Sequence, residues 1–107
     1  MNRHAPAHLS NDAANLWKGI LKDYEITDCH DFKTLESLCE TVDVIQQAKA
    51  AIARDGPYLT NRHGEVRPHP GIAVIRDAKM LFARLLKSLK LDQEPRETGK
   101  KYYKRSY

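Results

Sequence analysis

Residues 31–56 read DFKTLESLCETVDVIQQAKAAIARDG, and this stretch decides the fold. Phe32, Leu35, Leu38, Cys39, Val42, Ile45, Ala48 and Ile52 recur at steps of three and four, the period of one helix face. Asp28 or Asp31 can cap the start, and Gly56 sits just past the end. At 1.5 Å per residue such a helix is a rod of roughly 35 Å. The series 35, 38, 42, 45, 52 has coiled-coil spacing broken only by Lys49, so the rod needs a second long helix beside it. Ala48, Ala50, Ala51 and Ala53 near its end permit close approach and are strong helix formers in any case.

The partner lies downstream. Pro70 suits a first helical position, where the missing amide hydrogen costs nothing. Ile72, Val74, Ile75, Ala78, Leu81, Phe82, Leu85, Leu86 and Leu89 then predict a helix over about 70–89. Leu35, Leu38, Val42 and Ile45 are expected to pack on Ile75, Phe82 and Leu85. The apolar band of this helix is wider than one partner requires, and monomers rarely expose large patches. Val74, Leu81 and Leu86 are therefore expected at an interface between copies of the chain. Upstream, Ser10 precedes Ala13, Leu16, Trp17, Ile20, Leu21 and Tyr24, which predicts a capped helix over about 11–24. Between the long helices, Tyr58-Leu59-Thr60 and Glu65-Val66-Arg67 flank the turn Asn61-Arg62-His63-Gly64, as in a short hairpin. Such a ribbon is marginal alone, so it is expected to lean on the helices or on a neighbouring subunit.

The fold class is therefore mainly α: a three-helix core with a long antiparallel helix pair and a small β-hairpin between helices 2 and 3. Residues 1–9 are expected to be a flexible N-terminus, 10–91 the helical domain, and 92–107 a basic flexible tail. A chain of 107 residues, 41% hydrophobic and 30% charged, has room for one small core and not two. No apolar run approaches the roughly 18 residues needed to cross a bilayer, and the first residues lack a signal peptide's apolar stretch. A soluble protein without membrane contact is expected. Cys29 and Cys39 lie too far apart along a helix to bridge, which points to a reduced intracellular chain.

Charge is distributed unevenly. The net +4 comes wholly from residues 96–107, because residues 1–95 carry 13 basic and 13 acidic side chains. Within that neutral part, residues 28–55 hold six acids against three bases, and residues 56–91 seven bases against two acids. Such polarity can attract a polyanion at one end, or stack copies head to tail. In the tail, Lys100, Lys101, Lys104 and Arg105 can neutralise phosphates while Tyr102, Tyr103 and Tyr107 stack on bases or sugars. Arg76, Lys79, Arg84, Lys87 and Lys90 form a second basic set on helix 3, although they could simply offset the acids of helix 2.

Catalytic patterns are scarce. The chain lacks a phosphate-binding Gly-x-x-x-x-Gly-Lys loop and a Gly-x-Ser-x-Gly elbow. Among His4, His8, His30, His63 and His69 and the two cysteines there is no Cys-x-x-Cys, and no His-x-x-x-His outside the N-terminal His4 and His8, so the two paired ligand sets of a zinc site are missing and no metal and no cofactor is expected. His69 beside Pro70 suits helix entry, its imidazole bonding to first-turn amides. Glu36 and Glu40, one turn apart, suit a solvated face. An enzyme is not expected.

The order Leu9-Ser10, Ala13-Ala14, Leu16-Trp17, Cys39-Glu40, Ala51-Ile52-Ala53-Arg54-Asp55-Gly56, Gly64, Val66-Arg67-Pro68-His69-Pro70 and Arg76-Asp77-Ala78 resembles the phage terminase small subunit family. The close Leu89-Lys90-Leu91-Asp92-Gln93-Glu94-Pro95 resembles the Leu-x-Leu and proline ending after helix 3 in many members. The likeness covers about residues 9–96. It implies a non-catalytic packaging factor of the host cell cytoplasm that binds double-stranded viral DNA, forms a homo-oligomer, a closed ring, and delivers DNA to the large terminase subunit. On this reading Arg76, Lys79, Lys100, Lys101, Lys104 and Arg105 are the expected DNA contacts. The alternative is a helical protein-protein adaptor without DNA binding.

Overall fold

A computed structural model describes residues 4–91 and the backbone of residues 101 and 102. Three helices carry it: α1 (Asn11–Asp23), α2 (Cys29–Asp55) and α3 (Pro70–Ser88). A two-residue strand, β1 (Tyr24–Glu25), follows α1, and the ribbon β2 (Tyr58–Thr60) and β3 (Val66–Pro68) joins α2 to α3. The backbone of a last strand, β4 (Lys101–Tyr102), runs parallel to β1. The fold is the mainly α arrangement that the periodicity predicts, and of the two caps open for the second helix Asp28 is the one used.

Each helix starts and stops for a local reason. The Ser10 hydroxyl accepts a hydrogen bond from the Ala13 amide at 3.2 Å, and Asp12 sits in the positively polarised first turn of α1. Asp28 is the cap of α2, while Asp31 lies in its first turn with 1% exposure. Gly56, at φ 85°, takes the chain out of α2 through a conformation that an L side chain rarely adopts. At α3, Pro70 occupies the first turn and His69 caps it, its Nδ1 accepting from the Gly71 amide at 2.9 Å.

The long pair α2 and α3 makes the most extensive contact in the molecule, and α1 lies along α2. Near the ribbon the helices approach closely: a Cβ added to Gly71 would meet Ile52 at 3.2 Å and the Ala48 carbonyl at 3.3 Å. At the opposite end a dry core forms from Ala13, Trp17 and Ile20 of α1, Tyr24 and Ile26, Phe32, Leu35, Leu38 and Cys39 of α2, and Leu89. Trp17 and Phe32 pack with ring centroids 6.0 Å apart. Leu35, Leu38 and Leu89 are fully covered, each removal from water contributing roughly 2–3 kcal/mol. Thr41, buried next to this core, donates its hydroxyl to the Ser37 carbonyl at 2.7 Å and so leaves no orphaned donor.

The core ends where α1 ends. Along the remaining half of the hairpin, Val42, Ile45, Ala48, Ile52 and Ile75 are only half-buried. Phe82 and Leu85, also half-buried, border the dry core. The expected α2–α3 seam is thus present, but only its Leu35–Leu38 end is sealed by a third helix.

The ribbon differs from expectation in one strand. Its second strand is Val66–Pro68, registered as Tyr58 with Pro68, Leu59 with Arg67 and Thr60 with Val66. Glu65 belongs to the turn because its amide donates to the Asn61 side-chain oxygen at 3.0 Å. Every residue of the ribbon from 57 to 68 is exposed, so of the two supports expected for it the helices of its own chain do not cover it.

The end of α3 places Leu86. The Leu91 amide donates to the Leu86 carbonyl at 2.8 Å and the Lys90 amide to the Lys87 carbonyl at 3.0 Å, the paired bonds of a Schellman turn. Leu86 and Leu91, which such a turn brings together, both pack against the dry core. Lys90 adopts φ 58° to make this turn, a conformation that costs a residue with a Cβ about 1–2 kcal/mol. Lys90→Gly is therefore expected to raise stability by about 0.5–1 kcal/mol in urea unfolding followed by helical circular dichroism.

Candidate nucleic-acid and assembly surfaces

The outward side of α3 carries two stripes. Ile72, Arg76, Lys79, Ala83 and Lys87, at steps of four, three, four and four, share one flank, and all are exposed. Arg76 lies 3.4 Å from Asp77, an exposed pair of little energetic weight. Among the described residues, no carboxylate comes within ion-pair distance of Lys79, Arg84 or Lys87. These cations do not offset α2's acids. Lys100, Lys104 and Arg105 lie outside the described residues, as does the side chain of Lys101.

The second stripe, Val74, Asp77 and Leu81, lies on the other flank of α3. Val74 is 42% and Leu81 46% exposed. Leu86 does not join them, because the turn that follows α3 directs it against the core. The other large exposed apolar side chains are Val44, Tyr58, Leu59, Val66, Ile72 and Met80.

Three acids of α2, Glu36, Glu40 and Asp43, face the segment that precedes α1. Asp43 accepts the Ser10 amide at 3.0 Å and the Ser10 hydroxyl. His8 Nε2 stands 2.7 Å from Glu40 and 3.8 Å from Glu36, which is also 3.8 Å from Lys33. Leu9 and Ala5 pack on the core edge, so residues 5–10 are fastened to α2 by polar and apolar contacts together. Spacing within α2 gave no sign of this, since the partners lie more than thirty positions away. Ligand-type atoms of His8, Glu36 and Glu40 come within 4.8 Å of one another, as do those of Asp28, His30 and Asp31. The first group is already joined by its own His8–Glu40 bond. Cys39 offers no nucleophile: burial, then Asp43 and Glu40, push its thiol up to about 12.

His69 takes the helix-entry role expected of it and does more. Its amide donates to the Pro57 carbonyl at 2.8 Å, its Nδ1 accepts from Gly71, and its Nε2 stands 3.1 Å from Asp55 Oδ2. Asp55 is also gripped by Arg54 through bonds of 2.9 and 3.1 Å. One buried imidazole thereby ties the last residue of α2, the root of the ribbon and the first turn of α3.

A family model described as phage terminase, small subunit, matches residues 13–101 of the chain. No curated protein and no solved structure matches it. Among the described residues, no helix is long and apolar enough to cross a membrane.

The junction has a pH signature. Hydrogen bonds from Arg54 and then His69 lower the Asp55 carboxyl from an ordinary 3.8 to about 2. A depressed folded-state pKa adds stability that is complete above the unfolded value and lost as pH falls toward the folded one. Stability should therefore drop between about pH 4 and pH 2, and Asp55→Asn should flatten that part of a urea-midpoint series against pH.

Proposed function

The chain belongs to the phage terminase small-subunit family, and from that membership we propose that it is the non-catalytic DNA-recognition component of a genome-packaging motor. It binds double-stranded viral DNA in the host cytoplasm and delivers it to the large terminase subunit, which carries the catalytic work. The observation that supports this most is the basic outward side of α3. Among the described residues Lys79, Arg84 and Lys87 stand exposed without carboxylate partners, while Glu40, Asp43 and Asp55 of α2 are engaged by His8, Ser10, Arg54 and His69. Exposed cations in water gain little from one another, but phosphates let them release condensed counterions, an entropic gain that grows with each contact.

Arg76 and Lys79 are the folded contacts in this reading, joined by Lys87 on the same stripe. Lys100, Lys101, Lys104 and Arg105 add affinity without choosing sequence, because phosphate contacts carry no base information. Val74 and Leu81 lie on the opposite flank of the helix and serve assembly into a homo-oligomer, a closed ring. One helix thus presents an apolar stripe to the neighbouring copy and a basic stripe to the duplex.

Duplex binding measured by fluorescence anisotropy across a salt series tests this. The wild-type chain should show a steep linear fall of log affinity with log salt. Lys79→Ala and Lys87→Ala should each make that slope shallower by about 0.9. A salt-independent or absent interaction with duplex would instead favour the protein-protein adaptor.

A further inference from the structure

The ribbon is the part of the chain least explained by its own contacts. All residues from 57 to 68 are exposed, Tyr58 and Val66 to 64% and 65%. An isolated two-stranded ribbon is marginal in water. This one is held at both ends instead of along its faces. At the root, His69 bonds the Pro57 carbonyl. At the tip, the Asn61 side-chain oxygen accepts the amides of His63 and Glu65 at 2.8 and 3.0 Å. The Asn61 amide donates to the Glu65 carbonyl at 2.9 Å, and Gly64 closes the turn at φ 82°. A tip built this way presents Arg62 and His63 outward on a fixed backbone.

We propose that the ribbon is an arm that enters the major groove of duplex DNA, with Arg62 and His63 at its tip and Arg67 on one face as contacts. This rests on the DNA-binding reading above and adds a second element to it. The major groove of B-DNA is about 12 Å wide and admits a two-stranded β-ribbon. Cross-strand register puts Leu59 with Arg67 on one face, and Tyr58, Thr60, Val66 and Pro68 on the other. One face therefore offers a forked donor for phosphate or guanine, the other a hydroxyl and small apolar groups for base edges and thymine methyls.

Charge favours DNA over a neighbouring copy as the occupant. Among the described residues Arg62 has no carboxylate partner, and Glu65, the one acid of the ribbon, is taken by Arg67 at 3.1 Å. On α2, Glu40, Asp43 and Asp55 are already engaged within the chain. Burying Arg62 in a protein interface costs its hydration unless a carboxylate is aligned with it, whereas a phosphate backbone supplies a counter-charge at every step.

The test compares the full chain with Arg62→Ala/Arg67→Ala and, separately, Glu65→Gln, using a 30-base-pair duplex in a salt series and native mass spectrometry alongside. The double variant is expected to keep its helical circular dichroism and its native mass. It should bind roughly tenfold more weakly at 0.1 M salt, with a log-log slope shallower by about 1–2. Glu65→Gln, which releases Arg67, should bind more tightly. A double variant with wild-type affinity and slope overturns the arm while leaving DNA binding by α3 intact. Loss of native mass in the double variant also overturns it, because the ribbon would then dock on a second copy. A wild-type chain that binds no duplex even at low salt defeats the arm and the broader reading together.

Discussion

A 27-residue helix laid against a 19-residue partner cannot be kept dry along its whole length by a third helix of 13 residues. At 1.5 Å per residue α1 covers about 20 Å of a rod of about 40 Å. Where α1 lies, Leu35, Leu38, Cys39 and Leu89 are fully enclosed. Beyond it, two helices face each other with no described residue over their seam, and the side chains along it are half-buried at best apart from His69, Gly71 and Ala78. The division into a sealed half and an open half follows from helix lengths.

Electrostatics reinforces that division. The sequence places acids on α2 and bases on α3, an arrangement that looks self-neutralising. The fold does not use it so. Glu40, Asp43 and Asp55 of α2 turn to His8, Ser10, Arg54 and His69, all contributed by segments outside the α3 helix, and among the described residues Lys79, Arg84 and Lys87 are left without a carboxylate. Segments that look like connectors, residues 5–10 and the His69 junction, thereby set which charges remain available to a partner.

Much of the fold was legible because it is written in local periods. The 35, 38, 42, 45 series, Ser10 as a cap, Pro70 as a first-turn residue and Gly56 as a stop each act within a few positions. His69 is legible for the same reason, since its bond to Gly71 spans two residues. The site was less legible. Leu86 has the same apolar character as Val74 and Leu81, and only the left-handed Lys90 that follows decides that it turns inward. The fastening of His8 and Ser10 to Glu40 and Asp43 spans more than thirty positions, which no helical period encodes. The exposure of the ribbon is a fact about what does not touch it, and sequence patterns report contacts better than their absence.

The claim that joins these features is that copies of the chain cover the open half of the hairpin through Val74 and Leu81. Native mass spectrometry of the wild-type chain and of Val74→Asp/Leu81→Asp tests it directly. The account predicts one large closed species for the wild type and a folded monomer for the variant, because a carboxylate cannot be buried in an apolar interface without a partner. A wild-type chain that stays monomeric at high concentration, or a variant that assembles unchanged, would contradict it.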